Sequence, residues 1–543
     1  MKSVKNILSL LCLMILSQAM VAQLRNPILP GFYPDPSIVK VDSDYYLVTS
    51  SFAYFPGVPI FHSKDLLHWE QIGHVLDRPS QLNITYQGIS RGIFAPALSY
   101  QDGLFYMITT FIDGPGNFFV TATDPAGPWS DPVYLPEIDG IDPSFFFDQN
   151  GKTYIINNGP PPDNISLYDG HRALWLQEFD IQHRKLVGPR KIILNGGTKL
   201  EDKPVWIEGP HIYQRNGYYY LMAAEGGTSV WHSEVILRSK NIWGPYEAYE
   251  GNPILTQRDL PEFRENAVTC TGHADLVQTP DGEWAAVFLG CRPYVGDYYN
   301  LGRETFLLPV DWSGEWPVIL EKGKPVPLEL DVPWETDQGK FTFAELSSDW
   351  TDDFRQDELG FEWVFIRTPQ EQWYSLEGRG IRINARPVSL AFDGNPSFIG
   401  RRQQHLNAQF TAVLKFDFSS QMESGIVAFQ NESNFYMLSV LKADNEFVLR
   451  VANATDEIAS APLKRRGGIV YMRVTVLEDK IQFEYSQNKS SWTPIGPVLD
   501  GKHLSTKVAG GFVGTIFGLY AYGLEGEAAV FDKVEYRQVF TGK

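Results

Sequence analysis

PDPSIVKVDSDYYLVTS, residues 34–50, is the first of five related stretches in the chain. An Asp-Pro pair opens an apolar strand, an Asp-rich turn follows, and an aromatic strand returns. The same order recurs in FAPALSYQDGLFYMITT (94–110), IDPSFFFDQNGKTYIIN (141–157), IEGPHIYQRNGYYYLMA (207–223) and TGHADLVQTPDGEWAAV (271–287). With Pro36, Pro96, Pro143, Pro210 and Ala274 taken as equivalent, successive units lie 60, 47, 67 and 64 residues apart, room for four short strands each. Strands and tight turns at this period, with almost no helical periodicity, predict a five-bladed β-propeller.

A propeller gathers equivalent residues. The innermost strand of each blade runs beside the central axis, so residues at its start share one mouth of the channel. Those places hold Asp35, Ala95, Asp142, Gly209 with Glu208 just before it, and His273. Three carboxylates and an imidazole, spread over more than 230 residues, are thereby expected in one pocket. Each has a plainer reading: Asp before Pro is a common turn residue, and a lone His is more often a hydrogen-bonded structural residue. Glu208 is the odd one, because a strand interior seldom accepts an unpaired Glu. Coincidence of all four at one level favours a site. Glycoside hydrolysis needs one carboxylic acid to protonate the leaving oxygen and one carboxylate to activate water or attack carbon. A third can hold the acid in place and raise its pKa.

Beyond residue 320 the repeat stops. KGKPVPLELDVPWETDQG (322–339) reads as a Pro-rich linker, and alternating runs such as FTAVLKFDF, NFYMLSVLKA and YMRVTVLED then predict an antiparallel β-sandwich to the C-terminus. The expected division is a signal peptide at 1–22, a propeller at 23–325, a linker at 326–350 and a sandwich at 351–543. Lys2 and Lys5, the apolar run Ile7 to Ile15 and the small residues near Ala19 and Ala22 carry the signal-peptide reading. Export to the periplasm or the medium follows from it. No stretch approaches the ~18 consecutive apolar residues of a membrane span.

Composition narrows the partner. Across 543 residues, 46 Lys and Arg face 65 Asp and Glu, a formal charge of −19, which argues against nucleic acid and anionic membranes. Aromatics at 14% suit neutral polar ligands such as sugars. Cys270 and Cys291 flank Pro280-Asp281-Gly282 as cross-strand neighbours would, leaving two readings: a disulfide, or two buried thiols.

The words NPILPGFYPDPS, GIDPSFFFD, WIEGPHIY, AEGGTSVWHSEVILRSK, TGHADLV and LGRETFLLPV closely resemble glycoside hydrolase family 43, especially its β-xylosidases and α-L-arabinofuranosidases with a C-terminal sandwich of concanavalin-like type. The likeness covers residues 25–320 specifically and 350–540 more loosely. It implies that Asp35 is the general base, Glu208 the general acid, and Asp142 the residue that tunes and orients Glu208. Arg303 in LGRET would contact substrate hydroxyls, and Phe52 would wall the innermost subsite. His273 matches a central histidine that ligates a channel ion or water; a structural Ca²⁺ there is the one metal the resemblance admits, and no cofactor is required. Phe512 in GGFVGTIFGLY would reach the mouth from the sandwich.

The family inverts, which asks for catalytic carboxyls about 6.5–9.5 Å apart. At Phe94 the chain departs from the many relatives that carry Trp before Ala-Pro. The smaller ring tilts the expected sugar toward α-L-arabinofuranose. The function expected is therefore exo-acting release of non-reducing-end α-L-arabinofuranosyl or β-D-xylosyl units from plant hemicellulose oligosaccharides. Three alternatives are a strict β-xylosidase, a noncatalytic glycan-binding propeller, and a retaining fructoside hydrolase. The last would want Arg-Asp-Pro where this chain has Ile141-Asp142-Pro143.

Overall fold

A computed structural model describes residues 23–261, 263–332, 334, 349–417, 422–443, 446–463 and 467–540; the signal-peptide reading at 1–22 lies outside them. Between residues 37 and 310 the chain forms five antiparallel sheets, the blades of a propeller. Their innermost strands are Ser37–Val41, Ala97–Gln101, Ile141–Phe147, Glu208–Arg215 and Thr269–Gln278. Turn chemistry makes the hairpins. Asp102-Gly103 and Asn216-Gly217 both take positive φ, 53° and 81° in one pair and 52° and 77° in the other. Two left-handed residues make the tight turn whose twist matches the strands it joins. Returning strands bury alternate residues, so that Tyr45, Leu47, Phe105 and Met107 pack between blades.

Four blades have at least four strands, but the fifth supplies only three of its own. The expectation of four strands per unit fails there because the N-terminal segment fills the place. Leu29 pairs with Thr305 through both backbone bonds. The Asn26 side chain donates to Leu307 O and accepts from Leu307 N, each at 2.9 Å, as a strand backbone would. At the axis, Asp275 of the fifth blade accepts from Ser37 Oγ and Ile38 N of the first at 2.7 and 2.9 Å. The ring is closed by first and last segments together.

The start of the expected linker also belongs to the propeller. Glu329–Asp331 pairs with Gln23–Arg25, and Val326, Val332 and Trp334 are buried. Most of residues 333–348 lies outside the described residues.

The C-terminal region is a sandwich of two large antiparallel sheets. Among the described residues its only α-helix is Thr506–Ala509. One sheet ends in a strand that is not its own: Tyr54–Phe55 of the propeller pairs with Val364–Ile366. Phe32, Phe52 and Tyr54 of the propeller share one continuous apolar core with Trp363, Phe398 and Phe517 of the sandwich. Separating the regions would expose that core to water. Cys270 and Cys291 are buried free thiols, and Cys291 stands opposite Thr269 rather than Cys270.

Candidate active site

The repeat is also a backbone device. Asp35, Asp142, Gly209 and His273 have φ of 55°, 53°, 56° and 53°, each immediately before the Pro or Ala that aligns the blades. Strand register breaks at the same level, between Ile141 and Ser144, Glu208 and His211, and Gly272 and Asp275. A non-glycine residue rarely takes this conformation without cause. The local kink aims successive side chains into the channel mouth, as a β-bulge does. Ala95 does not share it.

In the fourth blade the kinked residue must be glycine. A Cβ on Gly209 would lie 2.8 Å from His273 Nε2. The carboxylate of that blade therefore comes from the neighbouring position, Glu208.

The three carboxyls experience different surroundings. Asp35 is 5% exposed; its Oδ1 accepts from Arg303 Nη1 at 2.8 Å and its Oδ2 from Ser50 Oγ at 2.6 Å. Burial alone would raise its pKa, but Arg303, His273 with Nδ1 at 3.8 Å, and Ser50 outweigh it and hold Asp35 below its ordinary value. Glu208 goes the other way. Burial first and the charge of Asp35 next push it up to about 7, against the opposing pull of Arg303 and Arg172. Asp142 is raised too, by burial and then by Glu208 and Asp35, and its Oδ2 accepts from Gly209 N at 3.3 Å. One pocket thus contains a carboxylate held ionised and a carboxyl pair that keeps a proton near neutral pH.

A box of rings covers one side. Phe52 and Phe512 stack with centroids 5.8 Å apart, and Phe94 meets both edge-on at 5.4 and 5.9 Å. The Arg303 guanidinium lies 5.8 Å from the Phe52 ring and 5.5 Å from that of Phe512, with its Nε buried and unpartnered. Phe512 is delivered by the sandwich loop, whose amide donates to Ser90 Oγ of the propeller at 2.9 Å. The structure therefore brings together Asp35, Asp142, Glu208, His273, Arg303, Phe52, Phe94 and Phe512.

Sequence reading missed Ser50, Arg172 and Asn158. Arg172 donates through Nε and Nη2 to Asn158 Oδ1 at 3.1 and 2.9 Å, close enough for its charge to act on Glu208. These three residues sit outside the repeated words or carry no pattern of their own. No signal in one sequence marked them.

Among the described residues no group of three or more His, Cys, Asp or Glu is placed to hold a metal. His273 offers one imidazole, so a Ca²⁺ beside it would need water for most of its six to eight ligands.

The fold and the mouth together define a class, the β-propeller glycosidases that work with opposed carboxyls. Residues 24–317 match glycosyl hydrolases family 43, and residues 351–537 match the β-xylosidase C-terminal concanavalin A-like domain. The chain belongs to glycosyl hydrolases family 43. It is 41% identical over 514 residues to a xylosidase/arabinosidase of Butyrivibrio fibrisolvens, covering 92% of this chain and 95% of that protein. It is 38% identical to a non-reducing end alpha-L-arabinofuranosidase of Bacteroides ovatus, covering 94% of each. A crystal structure of a family-43 protein from a capybara gut metagenome superposes with a TM-score of 0.85 at 41% identity, covering 94% of this chain and 96% of the other.

Proposed function

We propose that the protein is an exo-acting, inverting glycoside hydrolase that releases non-reducing-end α-L-arabinofuranosyl units, and secondarily β-D-xylosyl units, from hemicellulose oligosaccharides. The observation that carries this reading is the opposed electrostatics of Asp35 and Glu208 in one pocket. Asp35 takes a proton from water, the water oxygen attacks the anomeric carbon, the glycosidic C–O bond breaks, and Glu208 gives its proton to the leaving oxygen. Asp142 shares the burial that raises Glu208 and is itself raised by the charge of Glu208, so the pair holds one proton between them; the bond from the Gly209 amide opposes the rise at Asp142 without cancelling it.

Arg303 stands beside Asp35, Phe52 and Phe512, which supports a contact between its guanidinium and a substrate hydroxyl. The three phenylalanines would receive the apolar face of one terminal sugar, with Phe512 closing that side, which supports action at chain ends. Phe94, smaller than an indole, supports the furanoside as first choice. No cofactor enters this chemistry. The leader-like residues up to Ala22 support export to the periplasm or medium.

The test compares turnover of 4-nitrophenyl α-L-arabinofuranoside and β-D-xylopyranoside while NMR follows the first-formed anomer. Inverted pentose from the arabinofuranoside, formed faster than from the xyloside, is expected. Prompt appearance of the retained anomer would overturn the mechanism.

A further inference from the structure

The reading above accounts for the sugar that is released and leaves the sugar on the leaving side without a seat. Trp206 lies two residues before Glu208 and is 38% exposed. Its backbone is left-handed, with φ of 52°. Trp206 N donates to Gly170 O, and Val205 O next to it accepts from Gly226 N, so two loops pin the segment. One face of the ring is backed by the Arg172 guanidinium, 4.8 Å from the ring.

Asn158 makes this arrangement rigid and ties it to the acid. Fully buried, it accepts from Arg172 through Oδ1 and donates through Nδ2 to Ile207 O at 2.6 Å, the carbonyl between Trp206 and Glu208. Arg172 Nη1 makes no hydrogen bond among the described residues. An exposed ring held in the segment that leads into the proton donor, with one face backed by a guanidinium and the other left open, suits a neutral pyranose, whose C–H face it can take.

We propose that Trp206, backed by Arg172, is the platform that binds the leaving-group sugar and so selects oligosaccharides by what lies beyond the cleaved bond. This rests on the exo-glycosidase reading. It makes Trp206 a determinant of specificity toward the part of the substrate that Phe52, Phe94 and Phe512 do not hold.

The test uses two substrates of the full-length enzyme, an arabinofuranosyl-substituted xylo-oligosaccharide and α-L-arabinofuranosyl fluoride, whose leaving group is too small to reach the ring. Trp206→Ala is expected to lower the ratio of kcat/KM for the oligosaccharide to that for the fluoride by about tenfold. The loss should reside in KM, with the alkaline limb of the pH profile unmoved, and Trp206→Phe should restore most of the ratio. Trp206→Leu, which fills space without a ring, serves if the alanine variant does not fold. An unchanged ratio, or a fall carried by kcat with a displaced alkaline limb, overturns the proposal. A wild type that hydrolyses neither compound overturns the arabinofuranosidase reading on which the proposal rests.

Discussion

The blades and the sandwich loop build the same pocket by opposite means. Asp35, Asp142, Glu208, His273 and Arg303 all come from the propeller, and three of them, Asp35, Asp142 and His273, sit at one repeated backbone kink. The sandwich adds the ring of Phe512, from a non-repeating segment whose placement depends on docking: Gly514 packs so tightly on Leu301 that an added Cβ would lie 2.4 Å from its carbonyl oxygen. Chemistry is thus assigned to a part of the molecule that symmetry positions, and fit to a part that packing positions. Changes on the two sides should fail differently, the first in kcat and the second in KM.

The largest effect should come from the base and the acid. Asp35→Ala or Glu208→Ala is expected to lower kcat on an unactivated oligosaccharide by about 10⁴-fold, the upper range for losing an acid or base, with far-UV circular dichroism unchanged. A loss of less than tenfold in both would remove the assignment.

Asp142→Asn comes next, at about 10²-fold in kcat, and its diagnostic is pH. In the wild type, kcat/KM should fall as pH rises through about 7, where Glu208 loses its proton. On the acid side it should fall only below the ordinary Asp range, because Asp35 is depressed. Repulsion between Asp142 and Glu208 is mutual, so removing the charge at 142 should move the alkaline limb to lower pH. A limb that stays in place or rises would contradict the positioning role.

On the sandwich side, Phe512→Ala should raise KM for an aryl pentoside about tenfold and change kcat less. A dominant loss in kcat would show that the loop holds the catalytic groups in place and is more than a wall. The smallest effect belongs to the metal. Dialysis against EDTA should leave turnover unchanged, whereas a loss restored by Ca²⁺ alone would assign a working ion to the channel at His273.

Much of this was legible before any coordinates. The five repeated words placed Asp35, Asp142, Glu208 and His273 at one level, since a propeller maps sequence period onto angle about an axis. The closure of the ring was not legible. Gln23–Arg25 and Glu329–Asp331 are three-residue strands, too short to show alternation, and their pairing spans some 300 residues. Reading 326–350 as a linker followed from its prolines, although Val326 and Val332 are buried against the propeller. Tyr54–Phe55, two residues long, could not be recognised as the edge of a sheet formed mainly by residues beyond 360.

From residue order alone came the propeller, the opposed carboxyls and the class of chemistry, because turn residues, strand alternation and equivalent positions are local or periodic properties. Tertiary structure alone decided which carboxyl is pulled below its ordinary pKa and which two are raised, that Phe512 joins Phe52 and Phe94, and that Arg172, with Trp206 against it, acts on the acid. Those outcomes depend on desolvation, on charges brought close by folding and on docked surfaces. Such quantities exist only once distant segments have met.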